Sequence, residues 1–174
     1  PDAISIFPLP GALLLPKGRL PLNIFEPRYL AMIFDALGEG RLIGMVQTEA
    51  EHGGLVPEDA GLFGIGCAGR IVAFNETPDG RLLITLEGVC RYRIDEELAD
   101  KNGYRRVRPD FSSFRADMDG GPPDLDRESF LALLRRYFDA KQLKVDWASL
   151  EQTEDRLLIA TLAMMCPFGL PEKQ

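Results

Sequence analysis

Gly64, Gly66 and Gly69 fall at the spacing G-x-G-x-x-G, the pattern that lets a backbone approach the pyrophosphate of a dinucleotide. That chemistry needs a helix N-terminus immediately after the glycines, where free N–H groups and the helix dipole meet the phosphates. Here Arg70-Ile71-Val72-Ala73-Phe74 continues as a strand instead. The glycines are therefore expected to bend a strand sharply, with Gly66 and Gly69 easing close backbone approach. Cys67, Cys90 and Cys166 are odd in number and far apart, which matches neither a disulfide framework nor a zinc pattern. Buried thiols in a reducing cytoplasm are the expectation. His52 is the one histidine, placed in the polar loop Glu49-Ala50-Glu51-His52-Gly53-Gly54 with no second candidate ligand, and it is assigned no catalytic role.

No phosphate-cradling G-x-x-x-x-G-K-[ST] run and no Gly-x-Ser-x-Gly elbow occurs, and no cysteine pairs with a histidine block. The expectation is a non-enzyme that carries no cofactor and no metal. Arginines interleave with aromatics at Arg91-Tyr92-Arg93 and Tyr104-Arg105-Arg106-Val107-Arg108. Such a pattern can bind RNA. The competing reading is a solvated strand face balanced by Asp95, Glu96, Glu97 and Asp100, and the overall charge favours it. Twenty basic against 27 acidic side chains give −7, which argues against general phosphate-backbone binding.

The elements that would carry these residues begin with a proline-spaced stretch, Phe7 to Leu30. Pro8, Pro10, Pro16 and Pro21 forbid helix while the apolar residues between them demand burial, so short irregular strands along a sheet edge are expected. Pro27 suits a first helical position, and a helix over 27–37 would place Leu30, Ile33, Phe34 and Leu37 on one face, closed by Gly38 and Gly40. Glu26 precedes its first turn, where the helix dipole favours a carboxylate. Residues 41–48 read as a central strand, apolar on both faces. Leu62 to Asn75 and Arg81 to Leu86 read as a hairpin joined by Thr77-Pro78-Asp79-Gly80. A linker is expected over about 112–123. Beyond it, Asp124 or Asp126 would cap one helix and Thr153 a second, with Trp147 packed in the turn between them. No apolar run approaches the ~20 residues of a membrane span. The chain of 174 residues is long enough for one large domain or a domain with a helical appendage.

The run FPLPGALLLPKGRLPLNIFEPRYLAMI, followed some sixty residues later by Gly88-Val89-Cys90-Arg91-Tyr92-Arg93-Ile94, resembles the signature of the Lon N-terminal domain family. The resemblance covers about residues 4–111 well and the helical remainder more loosely. It implies a PUA-like β-barrel that recognises polypeptide. The expected fold is thus α+β: a PUA-like, closed or nearly closed antiparallel β-barrel with one packed helix over residues 1–116, then a small C-terminal helical region over 117–174. The expected function is a stand-alone polypeptide-binding module in the cytoplasm, gripping unfolded or partner polypeptide and feeding a separate protease. The apolar Leu13, Leu14 and Leu15 with the turn residues Glu26, Arg28 and Tyr29 are the candidate polypeptide-binding residues, Leu13 to Leu15 because a short irregular edge cannot obviously bury them all. Glu26 and Arg28 are expected to set the strand-to-helix turn first and to bind second.

Overall fold

The computed structural model describes all residues except 120, 122 and 124. Among these residues six strands form one sheet: β1 (Ile4–Pro8), β2 (Arg19–Ile24), β3 (Leu42–Thr48), β4 (Leu62–Glu76), β5 (Leu82–Lys101) and β6 (Tyr104–Asp110), in the order β2-β5-β4-β3-β1-β6. The far half of β5 also pairs with β6, so five strands return on themselves and β2 is left with a free edge. Pro21 sits in that edge strand opposite Thr85, where a residue without an N–H costs no ladder bond. β1, by contrast, has neighbours on both sides, against the expectation of an edge. Its proline, Pro8, is its last residue, which explains the tolerance.

The sheet departs from the all-antiparallel expectation at one pair, because β1 and β3 run parallel in the register Ile6↔Gly44. Parallel neighbours need a crossover connection, and the passage through β2 and the helix α1 (Pro27–Gly38) supplies it. The strand-helix-strand step missing from the sequence reading is therefore present. β3, β4 and β5 pair antiparallel with one another, and Gly88 of β5 adds a single parallel bridge to Pro16.

α1 begins as Pro27 predicts and ends where Gly40 takes φ +96°. Its buried face is Tyr29, Met32, Ile33 and Ala36, a stripe at helical spacing rotated from the expected one. Phe34, expected inside, is 56% exposed. Met32 and Ile33 are fully buried against Phe7, Ile24, Ile43 and Leu82, each worth roughly 1.5–3 kcal/mol in removed apolar surface. β3 is buried along nearly its whole length, as a central strand should be.

The glycine fingerprint lies inside β4 and serves packing. A Cβ at Gly66 would lie 2.5 Å from the Met45 carbonyl oxygen and 2.6 Å from the Tyr92 hydroxyl. One at Gly69 would meet Leu14 at 2.6 Å. The missing side chains thus make room for the buried Tyr92 ring and for Leu14. The hairpin forms as expected, with Glu76 opposite Leu82 and Gly80 at φ +81°.

The first half of the expected linker is ordered instead as a 3-10 helix, Ser112–Asp117. Asp117 is buried there and receives the backbone N–H of Arg91 at 3.0 Å and its guanidinium at 2.9 and 2.7 Å. An isolated buried carboxylate is costly, so this pairing ties the segment down. Among the described residues four helices follow: α2 (Arg127–Lys141), α3 (Trp147–Gln152), α4 (Asp155–Met165) and α5 (Leu170–Lys173). Asp126 caps α2 through Ser129; Asp124 lies outside the described residues. Glu154 rather than Thr153 caps α4, because Thr153 closes the unanticipated α3. Trp147 opens α3 and meets the Phe138 ring edge to face at 5.8 Å. Leu134, Phe138, Leu158 and Leu162 form a core of their own.

Candidate polypeptide-binding cleft

Where β2 turns into α1, the chain opens an apolar cleft of about 550 Å3. Its floor is Phe7, Leu22 and Tyr29, and its rim carries Phe25 and Leu55. Strand parity explains the rim: Leu22 and Ile24 turn inward along β2, and the chain leaves the strand with Phe25 outside and 56% exposed. Leu55 is 63% exposed on the facing loop. The floor is firm, because the Phe7 and Tyr29 rings meet at 4.3 Å in an edge-to-face pair.

The far wall, residues 54–56, is held by a clasp. Arg28 Nη2 donates to the Val56 carbonyl at 2.6 Å, and Arg28 Nε donates to Glu26 Oε2 at 3.0 Å. Both side chains keep 17% of their surface in solvent, and the guanidinium also lies 4.6 Å from the Tyr29 ring centre. Glu26 is the N-cap residue of α1 but makes no capping bond with its side chain, its carboxylate being given to Arg28. Burial pushes the Tyr29 hydroxyl above its ordinary range, the nearby Arg28 pulling the other way. Tyr29 is therefore neutral at physiological pH and contributes an uncharged wall.

Among the residues singled out from the sequence, Glu26 and Tyr29 line this cleft and Arg28 fastens its wall. Leu13, Leu14 and Leu15 lie elsewhere, around a smaller cavity of about 120 Å3 shared with Gln47, Cys67, Arg91, Lys173 and Gln174. Leu14 is 2% exposed and part of the main core, while Leu13 and Leu15 are half-buried. The cleft residues that the sequence reading missed are Phe25 and Leu55. An aromatic at the outward parity of a strand, and a leucine in an otherwise polar glycine loop, were the available signals.

Three arginines of the arginine-rich strands carry acidic partners. Arg105 pairs with Glu97 at 2.6 Å and donates to the Ala60 carbonyl at 2.7 Å, Arg108 pairs with Glu96, and Arg91 pairs with Asp117. The three cysteines are buried and unpaired, and burial raises the Cys67 thiol to about 12, far from a reactive thiolate. Among the described residues no helix is long and apolar enough to cross a membrane.

Residues 3–174 match the family model of the ATP-dependent protease La (LON) substrate-binding domain, and the chain belongs to that family. It is 31% identical over 111 residues to Lon protease 2 of Myxococcus xanthus, a match covering 63% of this chain and 13% of that protein. With Lon protease of Parabacteroides distasonis the identity is 34% over 95 residues, covering 55% and 11%. The chain thus spans only about an eighth of the length of these relatives. Its fold matches a Lon N-terminal domain protein from Xanthomonas campestris with a TM-score of 0.57 at 24% identity, covering 94% of this chain and 99% of that one. It also matches the N-terminal domain of Mycobacterium avium complex Lon protease with a TM-score of 0.60 at 12% identity, covering 98% and 87%.

Proposed function

We propose that this substrate-recognition module is non-catalytic and binds unfolded or partner polypeptide in the cleft between Phe25 and Leu55, presenting it to a separate protease. The observation that carries this reading is the pair of exposed apolar side chains over a firm apolar floor, with a polar clasp behind one wall. Recognition surfaces of this kind combine an apolar centre with a polar rim, and a few aromatic anchors carry most of the energy. The volume of the cleft suits two or three side chains of an extended segment. With Arg91, Arg105 and Arg108 already paired, binding is expected to depend weakly on salt.

Reduced, carboxymethylated α-lactalbumin, which cannot refold, serves as the ligand. The Phe25→Ser and Leu55→Ser variants, both at exposed positions, should melt like the parent and bind this chain roughly tenfold more weakly. Undiminished binding by both would remove the cleft from the function. Binding that vanished between low and moderate salt would move it to the arginine strands and to RNA-like ligands. Charged substitution of Leu14 is unsuited to this purpose, because at 2% exposure it perturbs the core and not a surface.

A further inference from the structure

The free edge of β2 carries a row of backbone hydrogen-bonding groups with no strand to meet them. Gly88 donates to the Gly18 carbonyl at 2.9 Å, immediately before the Arg19↔Glu87 pair, which makes that pair a non-hydrogen-bonded position of the antiparallel ladder. The register then runs unbroken to Ile24↔Leu82, so the two kinds of position alternate along it. Leu20, Leu22 and Ile24 therefore turn their backbone groups to β5, while Arg19, Pro21 and Asn23 turn theirs outward. Among the described residues no other backbone group bonds these three from the open side. The open row is thus the N–H groups of Arg19 and Asn23 and the carbonyls of all three, with one donor missing at Pro21. Its members recur at every second residue, about 6.8 Å apart.

We infer that polypeptide binds here by strand addition: an extended segment lies antiparallel to β2, its main chain on Arg19, Pro21 and Asn23 and every second side chain in the cleft. The inference rests on the reading of the cleft as a polypeptide site and specifies what that site recognises. Only an extended main chain repeats a donor and an acceptor at this spacing, which commits the occupant to a polypeptide in β conformation. The edge and the cleft are one surface, since Pro21, Leu22 and Asn23 also line the cleft. On the core side of the edge Leu22 lies with Phe7 and Tyr29, so ligand side chains turning there must be apolar. The outer side is largely polar, with Arg19 paired to Glu87 at 3.2 Å, Pro21 opposite Thr85 and Asn23 opposite Leu83, and it favours polar side chains at the alternate positions. Antiparallel addition is the stronger geometry per residue. A second copy of β2 is the poorer occupant, because it brings a second Pro21 and loses two ladder bonds where another chain loses one.

The test uses the full chain and the acetylated, amide-capped, fluorescent peptide Lys-Leu-Thr-Val-Thr-Leu-Lys, read by anisotropy. In antiparallel addition the threonines hold the hydrogen-bonded positions, and the leucines and valine enter the cleft with their N–H groups turned away from β2. N-methylation of both threonines should weaken binding about tenfold or more, whereas N-methylation of the valine and the second leucine should leave it within about twofold. Pro21→Ala supplies the missing donor at an exposed position and should bind the unmodified peptide about fivefold more tightly, where capture by burial alone would lose affinity with the ring. Equal loss for the two methylated peptides, the reverse order of loss, no gain in Pro21→Ala, or no binding of the unmodified peptide overturns strand addition. The methylated pair is compared on the parent protein and so survives any instability of Pro21→Ala. Carboxymethylated α-lactalbumin measured in parallel reads the cleft separately. If Phe25→Ser weakens that binding while the methylated peptides behave alike, strand addition alone falls; if neither ligand binds any form of the protein, both readings fall.

Discussion

Replacing Arg28 by alanine should unfasten the cleft wall and lower global stability together. The guanidinium makes two charge-assisted hydrogen bonds, to the Val56 carbonyl at 2.6 Å and to Glu26 at 3.0 Å, from side chains with only 17% of their surface in water. Hydrogen bonds to charged groups contribute roughly 1.5–3 kcal/mol each when the partner is left stranded. The Val56 carbonyl and Glu26 both regain some water in the variant, so the two do not add in full. A loss of about 2–3 kcal/mol is expected, or roughly 5–10 °C in Tm for a chain of this length. Calorimetry reads the global loss, and hydrogen exchange at residues 54–58 reads the local one, which should exceed that at the β3 amides. A Tm within a degree of the parent with unchanged exchange would refute the clasp. An unchanged Tm with lost binding would instead make Arg28 a contact for polypeptide.

Two further outcomes follow from the packing and the ion pairs. Gly66→Ala should cost roughly 1–3 kcal/mol in a thermal melt, since its Cβ would lie 2.5 Å from the backbone oxygen of Met45, whereas Gly64→Ala, with nothing within 4 Å, should melt near the parent. Equal melting of the two would sink the packing account of the fingerprint. For Asp117, burial raises the carboxyl, but the Arg91 side-chain and backbone hydrogen bonds outweigh it and hold it below the ordinary 3.8. Its contribution is therefore fully present above that value and is lost as pH falls through the lower folded one. Asp117→Asn should flatten the acid limb of a stability-against-pH curve below about pH 4, and an unaltered limb would show that the pair does not report on folding.

The sequence was informative wherever a local pattern sets the structure alone. Pro27 opening α1, the Thr77–Gly80 turn and the doubly buried β3 all follow from φ restriction, turn chemistry and hydrophobic period. What escaped was decided by partners distant in the chain. The buried face of α1 is rotated because Phe7 claims Tyr29, and the expected linker is ordered because Arg91 claims Asp117 from 26 residues away. The parallel β1–β3 pair likewise depends on where a helix crosses, which no window of residues reports.

The candidate site divides along the same line. Leu13 to Leu15 and Glu26 to Tyr29 stand close in sequence, so one apolar edge seemed to join them. In the fold, β2 runs between the two groups, and they line cavities that share no residue. One cavity is wide, apolar and rimmed by Phe25 and Leu55; the other is narrow, with a buried amide on its wall and the chain's own Lys173 and Gln174 at its mouth. Apolar capture at the wide cavity tolerates almost any unfolded chain, because burial is non-directional. Substituting Phe25 should thus lower affinity for all unfolded chains alike, and a loss confined to one unfolded ligand would refute capture by burial alone.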